Sequence, residues 1–284
     1  EAMLAEVDIL LFDMQDVGAR FYTYNTTLKN VIESAAANDK EVWILDRPNP
    51  AGGNYVSGWI LEDEFSSMVG SHPIPVAHGM TLGELALMGI GEEWYDDTDE
   101  AKVRVIKMEG WERSMRWPET GLSWTPPSPN LPTFEHAYVY LGTCFFEGVS
   151  ISEGRGTDDP FLTIGGPSLI IPEQKIQVLA HQYHVRIDTV SFTPVSIPGK
   201  SRYPKYEGIK LNGIKIETTP EFAELVEFGL SLLKVLRAEN PQITQREHLY
   251  LLAGTTSIDS VREDFSWGSE FDHFQTARQQ YLLY

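Results

Sequence analysis

The sequence predicts an α/β chain in which a Rossmann-like, parallel-sheet N-terminal subdomain, incomplete at its N-terminus, precedes a mixed α+β C-terminal subdomain. Three observations lead there. Residues 7–12 and 41–45 are short apolar runs on either side of a helical pattern, the order of a strand–helix–strand crossover. Residues 185–193 and 213–218 alternate polar with apolar side chains, as half-buried strands do. Between the two halves, residues 117–132 carry five prolines and little that would pack as a regular element.

Taken in order, residues 7–12 suit a strand buried on both faces. Residues 26–37 place Leu28, Val31, Ile32 and Ala35 at helical spacing, with Asn25 or Thr26 as cap and Asn38-Asp39 closing the helix. Residues 41–45 are the next strand. A right-handed crossover between the two strands puts Asp13 and Asp46 at neighbouring carboxyl ends. Ligands of open α/β sheets bind beyond that edge, so Gln15, Asp16, Arg47 and Asn49 read as site residues. Thr81 and Glu84 have capping-box spacing at the head of a helix, which sets a structural role for Glu84 beside a substrate contact. His78, just upstream, is a loop ligand or a turn filler. Residues 102–108 form a third strand, and the division falls into 1–123 and 124–284, with the site in a cleft between them.

In the proline-rich loop Ser128 and Asn130 would be held in place at low entropic cost. Trp124 there either stacks on a sugar or packs under the loop. Beyond it come residues 137–142, a polar loop from 147 to 161, residues 168–171, a helix over 173–184 and the two alternating strands. Residues 222–237 are an amphipathic helix with Phe222, Leu225, Val226, Leu232, Leu233 and Leu236 inward, and Gly229 in the same stripe permits a close helix contact. A last helix over 271–284 ends in an apolar tail that docks on the body.

Composition narrows the function. The 284 residues are 42% hydrophobic, enough for a substantial core, and 22 basic against 41 acidic residues give a net charge of −19. That field disfavours nucleic acid and anionic membrane surfaces. No apolar run is long enough to span a bilayer. Cys144 is alone, so it reads as a small buried hydrophobe outside any disulfide framework. Asp13, Asp16, Asp46, His72 and His78 lack a compact metal-ligand spacing, and neither phosphate-binding glycine motif occurs, so no metal and no cofactor are expected.

The segment from Ile151 to Phe161 concentrates the chemistry. Glu153, Arg155, Thr157, Asp158 and Asp159 supply carboxylates, a forked cation and a hydroxyl, and Gly154 and Gly156 let the backbone bend sharply. Alone it could be a solvated turn. Residues 12–24, 45–53 and 126–132 mix the same ingredients, and four such segments suggest one shared site.

Those segments also carry a resemblance. Residues 13–24, Asp46-Arg-Pro-Asn-Pro, His78-Gly-Met-Thr-Leu-Gly-Glu, Trp124 with residues 126–132, and Ser152-Glu-Gly-Arg-Gly-Thr together resemble the exo-β-N-acetylmuramidase family typified by NamZ, across nearly the whole chain. The resemblance implies a glycoside hydrolase that removes N-acetylmuramic acid from the non-reducing ends of peptidoglycan-derived saccharides, a Rossmann-like first part, and export to the periplasm or medium. It also implies a further stretch upstream with a Pro-Glu-His-Gly motif whose glutamate is a leading candidate for catalysis; without it an exposed sheet edge or a partly uncovered apolar face is expected.

Glycoside hydrolysis calls for an acid at the leaving oxygen and a carboxylate at the developing cation, and N-acetyl sugars can use their own acetamido oxygen, oriented by one carboxylate. Glu153 is the first candidate, followed by Asp16 and Glu147, with Asp13 and Asp158 also available. Arg20, Arg47 and Arg155 are the candidates for the lactyl carboxylate of muramic acid. Tyr22 and Tyr24 share a face if their segment is extended, and offer hydroxyls or a stacking surface. Any of the carboxylates could instead be salt-bridged scaffolding. The rival function is a catalytically silent cell-wall saccharide-binding protein using the same residues.

Overall fold

The computed structural model describes residues 4–96, 98, 101–261 and 264–284. The chain forms two compact units, one of residues 1–122 with 266–284 and the other of residues 123–265.

In the first unit β1 (Ile9–Phe12), β2 (Glu41–Leu45) and β3 (Lys102–Ile106) make a parallel sheet in that order, with α1 (Tyr24–Ala36) as the crossover and α2 (Leu82–Gly91) before β3. The register pairs Leu10 with Val42 and Phe12 with Ile44, then Val42 with Val103 and Ile44 with Val105. These residues share one face, which packs on Leu28, Ile32 and Ala35 of α1 and Leu82, Leu85 and Met88 of α2. The opposite face differs from the sequence expectation for β1. As an edge strand β1 pairs, among the described residues, only with β2, and Ile9 and Leu11 are 39% and 64% exposed, so the strand is buried on one face.

Helix α1 begins two residues earlier than its periodicity predicts. Asn25 and Thr26 lie in its buried first turn, where the Asn25 amide donates to the Arg20 carbonyl and the Thr26 hydroxyl meets Ser71, so neither caps the helix. At α2 the predicted box is complete: Thr81 Oγ1 accepts from Glu84 N, and Glu84 Oε2 accepts from Thr81 N.

The second unit contains α3 (Phe134–Thr143) and a 3-10 helix, Cys144–Gly148, then β4 (Thr163–Gly166), α4 (Glu173–Gln182), β5 (Val185–Phe192), β6 (Leu211–Thr218), α5 (Leu225–Glu239) and α6 (His248–Ala253). Its sheet is antiparallel in the order β4-β6-β5. Glycines bring α3 and α5 together: a Cβ on Gly229 would lie 2.5 Å from Gly142 Cα and nearer still to its carbonyl. The inward stripe of α5 is as predicted except at Phe222, which precedes the helix and is 44% exposed.

The closing segment departs from the expected assignment of all of 124–284 to the second subdomain. Helix α7 (Ser269–Ala277) and a 3-10 turn, Arg278–Tyr281, belong to the first unit. Arg278 there donates to the Gly79 carbonyl at 3.1 Å, Leu283 N to Glu84 at 2.8 Å and the Tyr284 hydroxyl to Asp46 at 2.8 Å. Such polar anchoring is invisible to a hydrophobic pattern.

Candidate active site

The carboxyl ends of β1 and β2 gather one polar group in the first unit. Gln15 donates from Nε2 to the carbonyls of Asp16 and Pro48. Asp16 Oδ2 accepts from Gly18 N at 2.8 Å and lies 3.2 Å from His78 Nε2. Because His78 Nδ1 accepts from Met80 N, the ring hydrogen is assigned to Nε2, facing Asp16. Gln15 Oε1 and Asp16 Oδ1 are sealed from solvent yet accept no hydrogen bond among the described residues. Buried acceptors are normally satisfied, so each of these two oxygens has room in its bonding for a donor. Tyr22 stands close by: burial, then the neighbouring Tyr24 and Asp16, pushes its hydroxyl well above the usual range. The two tyrosine rings meet edge-to-face at 4.8 Å, with Tyr24 opening α1 rather than continuing an extended segment.

Other residues of this unit have their bonding used internally. Asp46 accepts from Arg47 N and Gly83 N on one oxygen and from the Thr81 and Tyr284 hydroxyls on the other. Burial nevertheless raises its carboxyl above the usual range, against the lowering effect of those bonds. Asn49 bridges Met80 O and Ala51 N. Arg20 is fully buried, donates to the carbonyls of Trp59 and Ile74, and is lowered to about 9 by desolvation. Arg47 pairs with Asp13 at 2.7 Å, both about half exposed. Glu84 completes its cap and takes Arg113 Nη1 at 2.7 Å, so its structural reading prevails.

The second unit gathers the loop residues. Arg155 directs Nε and Nη2 at Glu147 Oε1, at 2.8 and 2.7 Å, and its Nε lies 3.7 Å from Glu153 Oε1. Its guanidinium covers the Phe161 ring at 4.9 Å. Burial acts to lower the Arg155 pKa, but the Glu147 charge and bond and the Glu153 charge outweigh it and leave the group raised. Glu153 itself is 3% exposed. The glycines perform as predicted: Gly154 and Gly156 have φ of 80° and 84°, and a Cβ at either would meet backbone oxygen at 2.6 Å.

Ser128, Asn130 and Thr157 lie along one chain of contacts. Ser128 Oγ accepts from Asn130 N, Asn130 Nδ2 donates to Lys200 O at 2.8 Å, and Lys200 Nζ donates to Thr157 O. The Thr157 hydroxyl braces its own loop, donating to Gly154 O and accepting from Asp159 N. Asp158 is exposed. Trp124 packs under the proline loop through Leu131 O and the Phe134 ring.

Sequence reasoning missed His136 and Lys205. His136 is buried, bonded to Thr133 Oγ1 at 2.7 Å, and its pKa is lowered mainly by that burial, against the charges of Asp159 and Glu135. Lys205 lies 2.9 Å from Glu153 Oε2. Neither carries a local pattern that marks it: Lys205 stands in a loop that also holds Lys200, Arg202, Glu207 and Lys210, so charge alone does not single it out. A cavity of about 500 Å³ between α4 and α5, lined by Lys175, Tyr183 and Lys234 among others, shares no residue with the Glu153 cluster.

Two family models match the chain almost end to end: Exo-beta-N-acetylmuramidase NamZ, N-terminal, over residues 1–135, and Exo-beta-N-acetylmuramidase NamZ, C-terminal, over residues 138–284. This chain belongs to the exo-β-N-acetylmuramidase NamZ family. Peptidoglycan beta-N-acetylmuramidase NamZ of Bacillus subtilis (strain 168) is 38% identical over 299 residues, covering 99% of this chain and 69% of that protein. Two crystal structures of DUF1343 family proteins from Bacteroides fragilis NCTC 9343 cover all of the chain. One has a TM-score of 0.84 at 28% identity, over 76% of its length, and the other 0.80 at 34%, over 77%. The family models meet at the start of α3, downstream of the unit boundary at 122, and the C-terminal model includes the segment that the first unit recaptures.

Proposed function

We propose that this chain is a glycosidase, an exo-β-N-acetylmuramidase that releases N-acetylmuramic acid from the non-reducing ends of peptidoglycan fragments, with Glu153 as a carboxylate of the reaction. Family membership over both halves supports the activity. The observation that carries the residue assignment is the pairing of two carboxylates, Glu147 and Glu153, across one guanidinium on a glycine-hinged loop.

Departure of the sugar leaves positive charge at its anomeric carbon, which a fixed carboxylate stabilises. In the route that uses the substrate's acetamido oxygen, the same carboxylate orients the amide and carries its charge. Glu153 suits that task because Oε2 is held in place by the charge of Lys205 at 2.9 Å, while Oε1 lies 3.7 Å from Arg155 Nε, beyond hydrogen-bond distance. Arg155 is the forked cation suited to the lactyl carboxylate, with Glu147 fixing its plane. On this reading the protein works outside the cytoplasm, where its substrate lies.

One observation favours silent saccharide binding instead: Glu147 and Glu153 are both committed to fixed cations. Glu153→Gln separates the two readings. Release of N-acetylmuramic acid is expected to fall by about 10²- to 10⁴-fold with saccharide affinity changed only a few-fold. Unchanged release would remove Glu153 from the chemistry, and binding without release by the unaltered protein would establish the silent reading.

A further inference from the structure

We propose that Lys205 is the positioning residue for Glu153, a half-buried ammonium that holds one carboxylate oxygen and leaves the other, on the Arg155 side, for the ligand. This rests on the role assigned above to Glu153.

Lys205 lies in a loop that follows β5 and is laid against the Glu153 loop. Val195 N donates to Gly156 O at 2.9 Å, and Pro204 sits so close to Gly156 that a Cβ there would lie 2.7 Å from its ring. The Lys205 side chain then enters the body of the unit, where it is 16% exposed. Its Nζ lies 2.8 Å from Phe146 O, 3.2 Å from Glu147 O, 2.9 Å from Val149 O and 3.0 Å from Ile151 O. Glu153 Oε2, at 2.9 Å, is the fifth oxygen around it.

An ammonium has three N–H directions, and four carbonyls already compete for them. Glu153 Oε2 is correspondingly sealed from solvent and out of line for a directed hydrogen bond, so the contact is one of charge. Desolvation lowers the Lys205 pKa, and the charge of Glu153, at contact distance, is the leading influence holding it up. The carbonyls of residues 146 to 151 thus fix where the cation sits, and the cation fixes Oε2. A compact ammonium fits among five oxygens in a way that a planar guanidinium would not.

A lysine that only stapled carbonyls would serve the loop whether or not residue 153 carried a charge. One that acts through Glu153 would lose its value once that charge is gone. Lys205→Met, Glu153→Gln and the double variant are compared for kcat and KM on a muramic-acid-terminated disaccharide. Lys205→Met is expected to lower kcat about 100-fold with KM within about threefold, and the double variant to be no slower than Glu153→Gln alone. Losses that multiply in the double variant would overturn the proposal while leaving the role of Glu153 intact. Full activity in Glu153→Gln would overturn both. If Lys205→Met does not fold, Lys205→Gln, which keeps amide donors for the carbonyls but no charge, takes its place in the same cycle.

Discussion

Replacing Gly229 by alanine probes the helix contact on which the second unit is built. A methyl at 229 would meet Gly142 Cα at 2.5 Å and the Gly142 carbonyl nearer still, against an ordinary van der Waals separation of about 3.5–4.0 Å. Its neighbours there are main chain, so no rotamer change relieves the clash, and α3 and α5 must part by about 1 Å. Around that contact α5 buries Leu225, Val226, Phe228, Leu232 and Leu233. Overpacking of this kind costs about 1–3 kcal/mol, and a backbone obstruction belongs at or above the top of that range. Against it stands a helix-propensity gain of about 1 kcal/mol for alanine over glycine. The net loss is about 2 kcal/mol. Equilibrium urea unfolding would read it as a lower midpoint at unchanged slope. Stability equal to or above that of the unaltered protein would refute the reasoning, because it would mean the two helices do not approach through these glycines.

Asp46→Asn is expected to act on stability, since an amide cannot accept from all four surrounding donors; a loss of about 2–4 kcal/mol follows from two unsatisfied buried groups, checked by denaturation with saccharide affinity as control. His72 is buried between the Ser71 and Tyr95 hydroxyls, and desolvation lowers it to about 3. Its unfolded form binds the proton from pH 6.5 downward while the folded form does not, so its contribution is complete above pH 6.5 and is lost as pH falls toward 3, by about 2 kcal/mol at pH 5. His72→Gln should therefore narrow the difference in melting temperature between pH 7 and pH 5. Arg155→Lys keeps the charge but loses the two-pronged hold on Glu147, and kcat/KM on the muramic substrate is expected to fall at least about tenfold.

Much of this architecture could be read from local chemistry. Strand β2 falls on its predicted residues, the Thr81–Glu84 box closes as spaced, and Gly229 marks its helix contact, because each depends on neighbours in sequence. The loop glycines at 154 and 156 were legible for the same reason. What escaped depends on distant partners. The apolar run of β1 carries no sign of its edge position, Phe222 continues the helical stripe but precedes the helix, and α6 is too short for its periodicity to stand out. In the candidate site, Asp46 and Arg20 look like ligand groups in sequence and turn out to be enclosed by carbonyls, amides and hydroxyls from elsewhere in the unit. Lys205 is the converse case, a turn residue given meaning by four carbonyls 54 to 59 positions away.

The most direct test is to incubate the protein with a disaccharide bearing N-acetylmuramic acid at its non-reducing end, beside the isomer bearing N-acetylglucosamine there, and to quantify the free sugars. Release of N-acetylmuramic acid from the first and nothing from the second is the predicted result. Equal release from both, or binding of the first without any release, would contradict it.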